Sequence, residues 1–349
     1  MAKKSRMVCT IEAPCKVNLH LGIGEKRPDG FHNLESLFAT LAFSDTLCFE
    51  LTGEKEKGDR FRLRYRSHLF GEEIPLEKNL VSRAVSLFRE RTGFKNGLNI
   101  RLDKQIPVGA GLGGGSSDAA SSLLAMNLLA GEPLSMEELM EMAAFLGSDV
   151  PFFLVGGLAF VSGCGELIEL IEINHGVRGG TRSFSKNSHN SSRRGTEAQR
   201  KTKNLQYLED FWILLAKPPF ASDTATAYKL LDQTRERDSI NREPLSKEIL
   251  ISSLKEDPSA WPFYNDFLSI FLSDSFPENI ANSYRTILEL LREMGASFTG
   301  LSGAGSCCYG IFGKKEAAEM AAGLLSRQGN WSRLTFFLAR RADPVVEYR

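Results

Sequence analysis

Apolar and polar residues alternate from the start of the chain. Met7 to Gly24 reads as two strands, V-C-T-I-E-A-P-C and K-V-N-L-H-L-G-I. In the second, a period of two sends Val17, Leu19 and Leu21 to one face and Lys16, Asn18 and His20 to the other. The runs F-S-D-T-L-C-F-E-L and F-R-L-R-Y-R, between Leu41 and Tyr65, continue the pattern as antiparallel strands. The period then lengthens to that of a helix: Leu80, Ala84, Leu87 and Phe88 share a stripe, Arg83, Arg89 and Arg91 point outward, and Asn79 stands at the N-cap. N-G-L-N-I-R-L-D-K is a strand that delivers the chain to a glycine-rich loop. The helix after that loop stops at Gly131 with Pro133 beyond it. Ser135 and Glu138 form a capping-box pattern on the next helix, which ends on Gly147, and G-G-L-A-F-V-S-G-C-G-E-L-I-E-L reads as a hairpin closing a first domain. A second domain starts with a strand, a Pro-Pro turn and a helix in F-W-I-L-L-A-K-P-P-F-A-S-D-T-A-T-A-Y-K-L-L. Helices near 280–294 and 316–326 and a strand near 333–339 complete it.

Composition changes this picture in one place. With 349 residues, 42% hydrophobic and 25% charged, the chain suits two domains of an ordinary soluble protein. No run reaches the length of a membrane span, and the basic start Met1 to Arg6 lacks the apolar stretch of a secretory signal, so a cytoplasmic protein is expected. The six cysteines show no C-x-x-C pair and read as reduced, mostly buried thiols. Between Gly176 and Asn204, however, eight basic residues stand against the single carboxylate Glu197, with Phe184 the one aromatic. Such a stretch cannot bury a core and reads as a flexible insertion, spanning 171–206, between domains of 1–170 and 207–349. A solvated linker is the plain reading; attraction to nucleic acid, or to the net acidic remainder of the chain, is the sharper and less favoured one.

The chemistry gathers in Gln105 to Ser122, Q-I-P-V-G-A-G-L-G-G-G-S-S-D-A-A-S-S. Glycines at 109, 111, 113, 114 and 115 remove every Cβ that would hold a ligand off the backbone, and Ser116, Ser117 and Asp118 supply N-cap chemistry. A glycine loop emptying into a helix N-terminus is an anion site suited to phosphate. Gly109-x-Gly111-x-x-Gly114 formally meets the dinucleotide fingerprint, but no acidic strand end follows at the required distance. The lysine that a P-loop requires is also missing.

The motif P-x-G-x-G-L-G-G-G-S-S-D-A-A does resemble the phosphate-binding loop of the kinase superfamily of galactokinase, homoserine kinase, mevalonate kinase and phosphomevalonate kinase, the GHMP kinases. A-P-C-K-V-N-L-H-L-G resembles that family's N-terminal motif, and L-S-G-A-G-S at 301–306 its third, a glycine turn approaching the phosphate site. K-R-P-D-G-F-H-N-L-E-S-L-F resembles a segment peculiar to the branch that serves the non-mevalonate isoprenoid route, whose acceptor alcohol carries a cytidine diphosphate. Phe31 and Asp223 depart from the commoner residues of their motifs.

The resemblance implies an α+β kinase of two domains, the first like domain 2 of ribosomal protein S5 and the second ferredoxin-like. It implies transfer of the γ-phosphoryl group of ATP, with Mg²⁺, to a 2-hydroxyl. G-S-D-V-P-F-F resembles the family segment whose aspartate is the catalytic base, so Asp149, otherwise a simple helix cap, pairs with Lys16. ATP would be held by Pro107, Gly109, Gly111, Leu112, Gly113, Gly114, Gly115, Ser116 and Ser117, with Ser117 also the candidate Mg²⁺ ligand. Asn79 is either a base-pocket residue or only a cap. Asn18, Phe31 and His32 are candidate substrate contacts, as is Thr224 unless it only caps its helix. Another small-alcohol kinase of the family, of homoserine or mevalonate type, or a silent nucleotide- or RNA-binding relative, is the alternative. A monomer or homodimer with no membrane partner is expected, and nucleic acid is not expected among its partners.

Overall fold

A computed structural model describes residues 6–52, 59–65, 75, 78–172, 205–238, 243–273 and 276–348. The basic segment 176–204 lies outside them. The chain begins with two long strands, β1 (Met7–Lys26) and β2 (His32–Leu51), paired antiparallel along their length. The expected break within β1 does not occur. Pro14, which has no N–H to give to the ladder, is absorbed at a register shift between Pro14 and Lys16, and a second shift follows between Asn18 and His20. One strand therefore carries both halves, with Lys16 and Asn18 set between two bulges.

β3 (Arg60–Tyr65), α1 (Leu80–Thr92) and β4 (Leu98–Lys104) follow. β3 pairs with β4 in parallel and not with the strand before it, because α1 supplies the crossover that parallel neighbours need. Asn79 caps α1 by accepting from the Val81 N–H at 2.9 Å. The buried stripe is Val81, Ala84, Val85 and Phe88, with Leu80 and Leu87 half-buried at its margins. α2 (Gly114–Leu129), α3 (Met136–Leu146) and α4 (Val150–Val155) come next, and α3 has the capping box expected of Ser135 and Glu138. β5 (Leu158–Ser162) and β6 (Leu167–Leu170) form the expected hairpin, joined to β2 through β5.

β7 (Trp212–Lys217), α5 (Thr224–Asp238), α6 (Lys247–Ser253), α7 (Asp266–Phe271), α8 (Glu278–Glu293), β8 (Phe298–Leu301), β9 (Cys308–Phe312), α9 (Lys315–Arg327), β10 (Trp331–Phe336) and β11 (Val345–Tyr348) complete the chain. Among the described residues the sheets have seven and four strands, ordered β11-β1-β2-β4-β3, with β5 and β6 branching from β2, and β10-β7-β9-β8. The last strand thus returns to the first sheet. Cys15, Val17 and Leu19 on β1 pack with Ile213, Leu215, Tyr309 and Ile311 of the second sheet, one core bridging the two units. The opposite face of β1 is covered as well, but the shift after Asn18 changes which residues share it. Lys16 and Asn18, each 3% exposed, share it with Leu21, while His20, at 0%, pairs with Leu37 and turns to the side of Val17 and Leu19. The expected grouping of His20 with Lys16 and Asn18, and of Leu21 with Val17 and Leu19, therefore does not hold. All six cysteines are free, and Cys307 and Cys308 are core residues. Among the described residues no helix is long and apolar enough to cross a membrane.

Candidate active site

The glycine loop is held from behind by its own carbonyls. Gly109 O accepts from the Ser222 N–H (3.3 Å), Ala110 O from Cys307 N–H (3.1 Å), Leu112 O from Lys16 N–H (3.0 Å) and Gly113 O from Ser117 N–H (2.9 Å). Gly111 O accepts from the Ser302 hydroxyl at 2.8 Å. With five successive carbonyls turned into the protein, the loop is free to present its N–H groups and the start of α2 to a ligand. The helix begins earlier than the serines suggest: its N-cap is Gly113, at φ +69°, without a side-chain cap. A Cβ at Gly113 would lie 2.6 Å from the Phe153 ring, so a larger residue there collides with the fold before it meets any ligand.

A cavity lies on either side of this loop. The first, about 310 Å³, is lined by Pro107 to Ser116, Asn79, Leu80, Lys104 and Asp118. The second, about 320 Å³, is lined by Lys16, Asn18, Phe38, Asp149, Thr224 and Tyr228 among others. Gly111, Gly113 and Ser116 line both, which makes the loop the partition between the two cavities. Ser117 lines neither: it is fully buried, and its Oγ has no hydrogen-bond partner among the described residues. One residue along a helix is a turn of about 100°. Starting α2 at Gly114 therefore aims Ser116, not Ser117, at the ligand side.

Lys16 and Asp149 meet in the second cavity, Nζ to Oδ2 at 3.6 Å. Lys16 Nζ donates to Asn18 Oδ1 at 2.5 Å, and Asn18 Nδ2 to Ser36 Oγ at 3.0 Å, and the ammonium lies 4.4 Å from the centre of the Phe38 ring. Burial pulls the Lys16 amine below its ordinary value, with Asp149 opposing the shift. Asp149 stands at the N-cap of α4 yet makes no side-chain cap, so the simple capping role is absent and its carboxylate, 30% exposed, is left to the cleft. Asn79, by contrast, both caps α1 and lines the first cavity. Thr224 does not cap α5. Asp223 does, accepting from Thr226 N–H at 2.8 Å, and Thr224 faces the cleft.

Phe31 and His32 lie outside both linings. Phe31 is 64% exposed, which excludes a core-filling role under the Pro28-Asp29-Gly30 turn. His32 is buried, stacked on Tyr228 at 5.2 Å and 26°. Two features escaped the sequence reading. Tyr228 stands inside a quoted motif, its ring against both His32 and the cleft. Lys104 Nζ bonds Asp45, and Asp118 at 2.7 Å, beneath the loop, and Ile106 N–H donates to Asp45 at 2.8 Å. Burial disfavours charge on Lys104, but the two carboxylates outweigh it and hold the amine above its usual value. A lysine at the end of the strand entering the loop was the available signal.

Residues 79–157 match the family model of the GHMP kinase N-terminal domain and residues 280–330 that of the GHMP kinase C-terminal domain. Fold and site together define an ATP-dependent kinase of the GHMP class. A 4-diphosphocytidyl-2-C-methyl-D-erythritol kinase of Thermodesulfovibrio yellowstonii is 30% identical over 93% of this chain and 96% of its own length. A chloroplastic enzyme of that name from Oryza sativa subsp. japonica is 37% identical over 70% of this chain, which spans about half of it (51%). A crystal structure of 4-(cytidine 5'-diphospho)-2C-methyl-D-erythritol kinase superposes with a TM-score of 0.66 at 27% identity, covering 94% of this chain and 99% of that one. The chain belongs to the 4-diphosphocytidyl-2-C-methyl-D-erythritol kinase family.

Proposed function

We propose that the chain transfers the γ-phosphoryl group of ATP to the 2-hydroxyl of 4-diphosphocytidyl-2-C-methyl-D-erythritol. The observation that carries this reading is the Lys16–Asp149 pair at 3.6 Å, on the acceptor side of a glycine partition whose other side is a cavity of nucleotide size. The first cavity would hold ATP, with its phosphates on the N–H groups of the loop. In the second, Asp149 accepts the proton of the attacking hydroxyl, while Lys16, oriented by Asn18, offsets charge on the oxygens in transit. Thr224 and Tyr228 face the acceptor, and Phe31 and His32 serve its cytosine end.

Among the described residues no group of three or more His, Cys, Asp or Glu side chains could hold a metal ion. Mg²⁺ accompanying ATP would find the Ser116 hydroxyl, which lines both cavities, as the protein group placed to help hold it. When bound, it would neutralise charge on the β- and γ-phosphates.

A coupled ADP-release assay across a panel of alcohols tests the assignment. Turnover is expected with the cytidine-bearing alcohol and not with homoserine or mevalonate; the reverse result overturns it. Phe31→Ala is expected to raise KM for that alcohol by about tenfold, the scale of one stacked base, with KM for ATP unchanged. Because Phe31 is so exposed, its thermal melt should stay within about 0.5 kcal/mol of wild type. An unchanged KM removes Phe31 from the site.

A further inference from the structure

His32 and Asp232 meet across the interface between the two units. Asp232 lies on α5, and its Oδ1 is 2.7 Å from His32 Nε2, while its Oδ2 bonds Lys26 Nζ at 2.5 Å. The contact decides which ring nitrogen a ligand can use. Partial burial works against the Asp232 charge, but bonds from Lys26 and His32 outweigh it and hold the carboxyl below its usual range. An ionised carboxylate only accepts, so Nε2 must carry the hydrogen of this bond. In the neutral ring the proton is then on Nε2, and Nδ1 presents a lone pair. No protein group among the described residues bonds Nδ1. The ring itself is stacked on Tyr228, which lines the acceptor cleft, so its plane is set too.

We infer that Asp232 is a positioning residue for nucleobase selection: it holds His32 as a hydrogen-bond acceptor at Nδ1, which selects a 4-amino pyrimidine over a 4-oxo one. This rests on the proposed function, in which His32 meets the base. Cytosine offers a donating 4-amino group where uracil offers an accepting oxygen, so a fixed lone pair attracts one and repels the other. The selection requires both units, since the carboxylate comes from α5 and the imidazole from the start of β2. Lys26 supplies charge to Asp232 but does not touch the ring.

The test compares kcat/KM for the cytidine-bearing alcohol with that for its uridine analogue, using the full chain. Wild type is expected to favour cytidine by about a hundredfold or more, as a site built around one hydrogen bond does. In Asp232→Asn, whose amide can donate as well as accept, the ratio should fall by about tenfold, one hydrogen bond's worth, with the loss in KM for the alcohol and not in KM for ATP. Asp232→Glu should restore most of the ratio, and Lys26→Met should keep it. Ring ¹⁵N shifts provide a second readout that a merely structural role would not move: unprotonated Nδ1 in wild type, a tautomer mixture in Asp232→Asn. A protonated Nδ1 in neutral wild-type His32 overturns the inference even if the variant fails to fold. A ratio unchanged in Asp232→Asn, with His32→Ala still raising KM for the alcohol, overturns the role of Asp232 alone. If His32→Ala leaves that KM unchanged, the base does not meet His32, and both fall.

Discussion

Asp149→Asn is expected to slow turnover by about two to four orders of magnitude, the scale of a positioned general base, while ATP affinity stays within about threefold of wild type. The two effects separate because Asp149 lines the second cavity, proposed for the acceptor, and not the first, proposed for ATP. The fold should tolerate the change, since the side chain caps nothing and is partly solvated. Asparagine keeps the volume but cannot take a proton at neutral pH. Its amide also leaves Lys16 in a buried setting without the carboxylate that supports its charge. Single-turnover kinetics and ATP calorimetry on the same preparation provide the check. Turnover within a few-fold of wild type would remove Asp149 from the chemistry, and a matching loss of ATP affinity would move it to the nucleotide side.

Much of this site could be read from the sequence because its parts are local. The glycine loop, its helix and the Lys16-Asn18 face are set by spacing of two to five residues, and the structure brings them together as alternation requires. What escaped was long-range. Alternation told that Lys16 and Asn18 share a face, but not that a bulge after Asn18 would turn His20 away from them and bring Leu21 in. Nor did it tell that this face would be covered by Gly111, Gly113 and Asp149 together with Thr224 and Tyr228 from far along the chain. A strand's pattern carries no direction, so β3 read as antiparallel until α1 was recognised as a crossover. The serine error is one of phase. Placing the cap within Ser116 to Asp118, not at Gly113, rotates every later residue of α2 and turns the wrong hydroxyl toward the ligand. Asp45 and Asp232, 59 and 200 residues from their partners Lys104 and His32, leave no local trace.

Gly111→Ala is expected to cost about 2 to 5 kcal/mol of stability and to abolish measurable ATP binding. Gly111 sits at φ +74°, where an L-residue is strained by about 1 to 2 kcal/mol. The larger cost is steric. A Cβ there would lie 1.9 Å from Ser302 O and 2.9 Å from Gly305 N, both backbone atoms of the 301–306 turn, and neither can swing aside as a side chain would. From the other side, a Cβ on Gly305 would lie 1.9 Å from Gly111 N, so the two turns touch backbone to backbone with no room between them. Forcing them apart adds overpacking strain of about 1 to 3 kcal/mol and loosens the Ser302 hydroxyl from Gly111 O, a bond of 2.8 Å that keeps the loop's carbonyl turned into the protein. Gly131 is the control. It has a similar φ of +82° but nothing within 4 Å of its would-be Cβ, so Gly131→Ala should lose only the strain of about 1 to 2 kcal/mol and bind ATP normally. Denaturant unfolding and ATP calorimetry on the pair separate conformation from contact. Equal stability losses in the two variants would mean that the clamp between the turns contributes nothing, and that the phosphate loop keeps its shape without the turn from the second unit.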